Sequence, residues 1–174
     1  MPARSGAQSA EGHSLKDSDA SAKVRLRDIA DALDMNSDEM TDFLDRVTGE
    51  IHLVTGEVWS VAENDGSPGE LLDWQQEEFE TARAIVADED DRYLAIPDLS
   101  SDDQWEVMRD FALSVDEPAQ SRLLDGIQGR GAFRWFKREV DRLDLRDAWF
   151  SFRDVALLKA AREWCEENGV AFTE

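Results

Sequence analysis

The chain has 174 residues, of which 41% are hydrophobic, and 40 acidic against 19 basic residues give a net charge of −21. This size and apolar content suit one domain with a real core, and the charge argues against a dedicated nucleic-acid binder or attraction to anionic membranes.

No apolar run approaches the roughly 20 residues that span a bilayer, and the N-terminus lacks the apolar core of a signal peptide. Cys165 is the single cysteine, which excludes an internal disulfide and suits a reducing compartment. We therefore expect a cytoplasmic protein without a membrane segment. Its acidity is typical of proteins from a high-salt, halophilic cytoplasm, where salt screens the repulsion. An ordinary acidic protein would have the same composition.

The N-terminal segment and the rest of the chain differ in composition. Residues 1–22 are rich in Ser, Ala, Gly and Asp and contain almost no large aliphatic residue. Such a segment buries too little to offset its ordering entropy, so it is predicted to be a disordered polar tail. Residues 23–174 are predicted to form a single globular domain. Its first element is a helix, because Leu26, Ile29, Ala30 and Leu33 recur at helical spacing.

A short internal repeat follows this helix. Residues 47–53 read VTGEIHL and residues 54–60 read VTGEVWS. Each Thr-Gly can form a tight turn between β-branched and aromatic residues, which predicts an antiparallel β-meander with strands at about 40–46, 50–54 and 57–62. The first strand is ambiguous, because the apolar residues of 40–47 match a helical face equally well.

The remainder of the chain is predicted to be mostly helical. Residues 92–96 form a short apolar strand before Pro97, and Ser101 to Gln104 read as a capping box that opens a helix. Pro118 opens a further helix, and two more are predicted at about 131–143 and 147–168. The fold class is therefore α+β, predominantly helical, with a small antiparallel meander near the N-terminal third.

The helix predicted at 131–143 separates aromatic from basic residues. Phe133, Phe136, Val140 and Leu143 fall on one face, and Arg134, Arg138 and Arg142 on another. Residues 130–154 carry seven bases and five acids, whereas residues 1–129 carry 10 bases and 31 acids. Residues 130–154 thus carry a net charge of +2, whereas residues 1–129 carry −21. This positive charge predicts an anion-binding or partner-binding site, whose residues would be Gly129, Arg130, Gly131, Arg134, Lys137 and Arg138.

Two alternatives remain for these residues. The arginines could pair with acidic groups of the upstream helices, as most surface charges are paired or solvated. The loop from Gly129 to Gly131, at a helix start, could instead present backbone N–H groups to a phosphate-bearing ligand, with arginines as bidentate partners. The phosphate-binding pattern GxxxxGK[ST] is absent.

The sequence offers little for catalysis or metal binding. The two histidines, His13 and His52, are far apart and belong to no HExxH or similar ligand pattern. Cys165 follows Trp164 on an apolar helix face and is interpreted as a small buried hydrophobe. We therefore predict no catalytic residue, no metal and no cofactor.

Several blocks together resemble a known family. They are RYLAIP at 92–97, GRGAFRWFK at 129–137, WFSFR at 149–153 and EWCEENGV at 163–170, joined by KVRLRDIADALD at 23–34 and LDRVTGEI at 44–51. These blocks resemble the bacterial uncharacterised protein family 0158 over about residues 23–172. The resemblance favours a strand pair over residues 44–51. Trp135 stands where the family pattern has a second arginine. The family has no assigned activity, so the resemblance leaves function open.

Charge and motifs favour a non-enzymatic binding or regulatory domain, whose Arg-rich helix edge engages an acidic partner. A small-molecule or phosphate-binding enzyme using the loop from Gly129 to Gly131 is the alternative. Weak nucleic-acid binding through arginines interleaved with aromatic residues is a third hypothesis, against which the net charge argues.

Overall fold

The computed structural model describes residues 22–35, 37, 39–67, 69 and 71–174. The tail predicted over residues 1–22 lies almost entirely outside the described residues. The order of elements is β1 (Val24–Arg25), α1 (Leu26–Met35), β2 (Met40–Asp45), β3 (Ile51–Thr55), α2 (Gly56–Glu63), a 3₁₀ turn (Asp73–Gln75), α3 (Gln76–Val86), β4 (Tyr93–Ala95), α4 (Ser101–Ser114), α5 (Ala119–Gly126), α6 (Ala132–Arg142), α7 (Arg146–Glu167) and β5 (Phe172–Thr173). The predicted class is confirmed: the chain is α+β and 59% helical.

The small antiparallel sheet has the strand order β3-β2-β4. β2 pairs with β3 from Met40 opposite Thr55 to Leu44 opposite Ile51, and its other edge pairs with β4. Residues 40–45 are therefore a strand, as the family resemblance favours. Asp45 organises the β2–β3 turn, because its carboxylate accepts the N–H of Val47 at 2.9 Å.

The third predicted strand, 57–62, is wrong. These residues form α2, and β4 takes the third place in the sheet. The two Thr-Gly pairs of the repeat have different conformations: Gly49 has a φ of 76° in the β2–β3 turn, whereas Thr55 precedes the first helical residue, Gly56. Val58 and Ala62, one helical turn apart, are buried in α2. Their i, i+4 spacing indicates a helix, and it outweighs the turn that the repeat suggests.

The capping box of α4 is shifted by one residue from the predicted position. Ser100, rather than Ser101, precedes the helix, and its hydroxyl accepts the N–H of Asp103 at 3.1 Å. The Asp103 carboxylate accepts the N–H of Ser100 at 3.1 Å. Aspartate takes the place that glutamate or glutamine usually holds in this motif.

Three clusters of buried side chains form the core. One lies among α1, β1 and the C-terminal half of α7; a second joins α4, α5, α6 and the N-terminal half of α7; the third joins β3, α2 and α3. β1 and β5 form a parallel pair beside the first cluster, which the sequence did not indicate.

Helix α7 belongs to two of these clusters. Trp149, near its start, is buried against α4 and α6, whereas Leu157, Ala161 and Cys165 are buried in the cluster of α1. Since the helix changes partners midway, no single apolar stripe runs along it. Among the described residues, no helix is long and apolar enough to cross a membrane.

Candidate interaction site

The predicted binding residues lie at the start and along the exposed face of α6. Gly129 and Gly131 both have positive φ, 88° and 86°, and Gly131 is the residue immediately before the helix. Only glycine adopts this backbone readily, so both glycines are required to lead the chain into α6. The N–H of Ala132 donates to the carbonyl of Gly129 at 3.4 Å. This contact uses the first amide of the helix and weakens the case for a phosphate cradle.

Four basic side chains of this region, Arg130, Arg134, Lys137 and Arg138, are exposed. We call them the basic edge. Within the described part of the chain, none has a carboxylate within 4.0 Å. The expectation that they pair with upstream acids therefore does not describe these four residues.

The acidic residues of α6 are engaged elsewhere. Glu139 is only 5% exposed, and its Oε2 accepts Arg122 Nε at 2.7 Å and lies 3.2 Å from Arg142 Nε. Asp141 lies 3.6 Å from Arg146. The two carboxylates that could neutralise the basic edge thus face arginines of the helix's own end and of neighbouring segments.

Arginines that lie outside the basic edge do form ion pairs between helices. Arg153 of α7 binds Asp34 at the end of α1, and Arg27 of α1 binds Asp154. These pairs join α1 to α7. Arg142 belongs to the predicted stripe by its spacing, but its contact with buried Glu139 gives it a structural role. Among residues 130–153, the arginines in ion pairs have structural roles; they are Arg142, Arg146 and Arg153. The unpaired arginines belong to the basic edge.

A cleft of about 790 Å³ lies beside the basic edge. It is bounded mainly by α4, α6 and α7 from Arg146 to Glu163, and its lining includes Phe136, Trp149 and Phe152. Phe136 and Trp149 meet edge to face, with ring centroids 4.8 Å apart. Lys137 belongs both to the lining of the cleft and to the basic edge.

Apolar side chains are exposed around this cleft. Phe133, Phe150 and Val155 line it and are 37%, 52% and 68% exposed. Phe133 and Phe150 therefore lie at the surface rather than in the core. Helical spacing could not identify the cleft, because it places Phe133 on the same face as buried Phe136.

Among the described residues, no group of three or more His, Cys, Asp or Glu side chains is arranged to hold a metal ion. Cys165 is fully buried, and burial raises the pKa of its thiol to about 11. The thiol is thus a core group rather than a nucleophile at neutral pH.

We expect native Cys165 to react with iodoacetamide at pH 8 about 200-fold more slowly than in the urea-unfolded chain. The reagent needs the thiolate, which is scarce at pH 8 when the pKa is about 11 and abundant at the unfolded value of about 8.5. Mass spectrometry of timed samples measures both rates. Equal rates in the native and unfolded chain would contradict the burial of this side chain.

Fold and site together define a helix-rich α+β domain with a basic edge beside an apolar cleft. The model of the Uncharacterised protein family (UPF0158) matches residues 69–174, which is more than half of the chain, and the chain belongs to this family. The match includes α3 to α7, and therefore the whole basic edge and the cleft lining apart from Asp34. The UPF0158 protein PA5073 of Pseudomonas aeruginosa (strain PAO1) is 26% identical over 149 residues, covering 84% of each chain. No solved structure matches. The resemblance noted from the sequence blocks is thus confirmed.

Proposed function

We propose that this chain is a non-enzymatic interaction domain that binds an acidic protein partner through the basic edge. The observation that supports the proposal is the absence of ion pairs at these four residues, within the described part of a chain of net charge −21. The chain has 40 acidic residues, so few substitutions would be needed to place a carboxylate beside each of these four bases. Instead, Glu139 and Asp141 contact other arginines and leave the basic edge open.

The electrostatics of such a site favour specificity over general attraction. The whole chain repels anions at long range, whereas the basic edge attracts them within about one Debye length, roughly 8 Å at physiological salt. A partner must therefore present its carboxylates close to Arg130, Arg134, Lys137 and Arg138. Arginine suits this role because its planar guanidinium can bind a carboxylate in a bidentate manner.

Charge reversal tests the proposal. The double variant Arg134→Glu/Arg138→Glu should lose bound protein in a quantitative pull-down, with at least about a tenfold reduction for the true partner. The matched control is Lys23→Glu/Arg83→Glu, which makes the same change in net charge at two exposed bases that also lack an ion pair among the described residues. Circular dichroism and thermal unfolding confirm that both variants fold.

The comparison with the control determines the result. Proteins retained by the control and lost by the variant at the basic edge support the proposal. If every protein retained by the wild type is retained equally by both variants, the basic edge binds no acidic partner. Loss with both variants would indicate dependence on net charge alone and would also overturn the proposal.

A further inference from the structure

Two large apolar side chains are exposed in the short turn that leads into α3. Leu72 is 61% exposed and Trp74 is 68% exposed, whereas the neighbouring Leu71 is buried. Tryptophan is enriched among the residues that contribute most to protein–protein binding, and neighbouring exposed apolar side chains mark interaction surfaces. A partner that covers this turn would remove both side chains from water.

A buried glutamine holds the turn in its shape. Gln75 is only 2% exposed, and its Oε1 accepts the N–H of Leu72 at 3.1 Å. Its Nε2 donates to Glu57 of α2 at 3.2 Å, and its own N–H donates to the carbonyl of Leu72 at 2.8 Å. Because these bonds already order the turn, a partner would lose little binding free energy to ordering it.

The segment that carries this turn is acidic throughout. Residues 47–82, which contain β3, α2, the turn and the first part of α3, have nine acidic residues and neither lysine nor arginine. Within the described part of the chain, none of their carboxylates lies within 4.0 Å of a basic group. Glu77, about one helical turn after Trp74, is exposed. The charge that this segment presents is of one sign, and it favours a cationic partner.

Arginines of the chain itself cover other aromatic rings. Arg146 lies over Phe150, with its guanidinium carbon 5.5 Å from the ring centroid. Arg109 lies over Trp105 at 5.3 Å. Trp74 is more exposed than Phe150, yet among the described residues no cation lies over its ring. The indole of Trp74 is therefore open to a cation of another molecule.

We infer that the turn from Leu72 to Trp74 binds a basic, arginine-containing segment of a partner protein. Tryptophan is the best aromatic residue for a cation–π contact, and arginine stacks on such a ring while its fork binds carboxylates, here those of Asp73 and Glu77. An apolar residue beside that arginine would cover Leu72. This surface is separate from the basic edge, so the inference goes beyond the proposed function and does not rest on it.

The same charge disfavours two other occupants. Nucleic acid would bring phosphates against nine acidic residues and no lysine or arginine. A second copy of this chain carries a net charge of −21 itself, so two copies repel each other as wholes. A basic partner segment is attracted by the same field.

The test uses a phage-displayed library of random 12-residue peptides, selected on the full chain. We expect enriched peptides to combine arginine with Leu, Ile or Phe. A labelled peptide from the selection should bind Trp74→Ser at least about tenfold more weakly than the wild type, as measured by fluorescence anisotropy. The control Phe150→Ser removes another exposed aromatic ring, one that Arg146 already covers, and should change Kd less than about twofold.

A second pair of variants tests the charge. Glu77→Gln removes one carboxylate beside the turn and should weaken peptide binding about threefold or more. Glu167→Gln makes the same change of charge at the end of α7, at an exposed residue without an ion pair among the described residues, and should change Kd less than about 1.5-fold. Thermal unfolding confirms that all four variants fold.

The variants together determine the result. Weaker binding by Trp74→Ser and Glu77→Gln, with both controls unchanged, supports the inference. Equal binding by all four variants would show attraction to net charge alone and overturn it. It is also overturned if no peptide is enriched, if the enriched peptides lack basic residues, or if Glu77→Gln binds like the wild type. Self-association of the free chain that Trp74→Ser abolishes in sedimentation would identify a second copy as the occupant and overturn it too. The variant Arg134→Glu/Arg138→Glu should retain the peptide, so failure here leaves the proposed function standing.

Discussion

Replacing Asp45 by alanine is expected to lower the free energy of unfolding by about 3 kcal/mol, the scale of breaking a buried ion pair. The Asp45 side chain is 2% exposed, and Arg92 Nη2 contacts its Oδ2 at 2.6 Å while Arg92 Nε contacts Oδ1 at 3.0 Å. The same carboxylate accepts the N–H groups of Val47 and Thr48 in the β2–β3 turn. Alanine would leave these donors without their acceptor, although the half-exposed Arg92 could recover hydration.

Urea unfolding at pH 7 measures this effect. Asp28→Ala is the matched control, because Asp28 also has a bidentate contact with an arginine, Arg25, but at the surface. It should cost less than about 1 kcal/mol, as exposed pairs do. Equal losses for the two variants would show that burial of Asp45 adds nothing to its contribution.

The contribution of Asp45 also depends on pH in a defined direction. The hydrogen bonds from Arg92 hold the pKa of Asp45 well below its usual range. A carboxylate whose native pKa is depressed stabilises the fold fully above its unfolded pKa of about 3.9. The difference in stability between wild type and Asp45→Asn should therefore be constant above about pH 5 and shrink as the pH falls below about 4.

Replacing Gly126 by alanine is expected to destabilise the chain by about 2 kcal/mol, within the range of overpacking substitutions. Gly126 ends α5, and a Cβ built there would lie 1.9–2.1 Å from three atoms of the Trp135 ring. The ring must move, although it packs against the cluster of α4, α5 and α6. The absence of a side chain at Gly126 thus creates the space for the indole of α6.

A double-mutant cycle isolates this contact. In a Trp135→Arg background the ring is gone, so Gly126→Ala should be neutral or stabilise by up to about 1 kcal/mol, the helix propensity difference between glycine and alanine. Thermal or urea unfolding of the four proteins gives the coupling energy. If Gly126→Ala costs the same in both backgrounds, the Trp135 ring is not what excludes a side chain at this position.

The sequence predicted the helical elements well because their apolar periodicity is strong. α4 to α7 begin within a few residues of the predicted positions, α6 and α7 also end there, and the buried residues of α1 follow the predicted spacing. One exception was α2, where the repeated Thr-Gly-Glu suggested a second turn. Two copies of one local sequence took different structures, because the side chains that follow Gly56 pack as a helix against α3.

The candidate site was predictable in part. The spacing of Arg134 and Arg138 predicted that both lie on a polar face of α6, and both are exposed. It could not predict which arginines find partners, since the contact between Arg122 and Glu139 joins residues from different helices. The cleft depends on how α4, α6 and α7 pack, and no local pattern records that arrangement.

Because α7 is one continuous helix, the two buried clusters that it joins depend mechanically on each other. This helix carries Trp149 in one buried cluster and Cys165 in another, and it contains neither proline nor glycine where it could break. Local opening of one cluster would therefore strain the helix that supports the other, which favours a single cooperative unfolding unit.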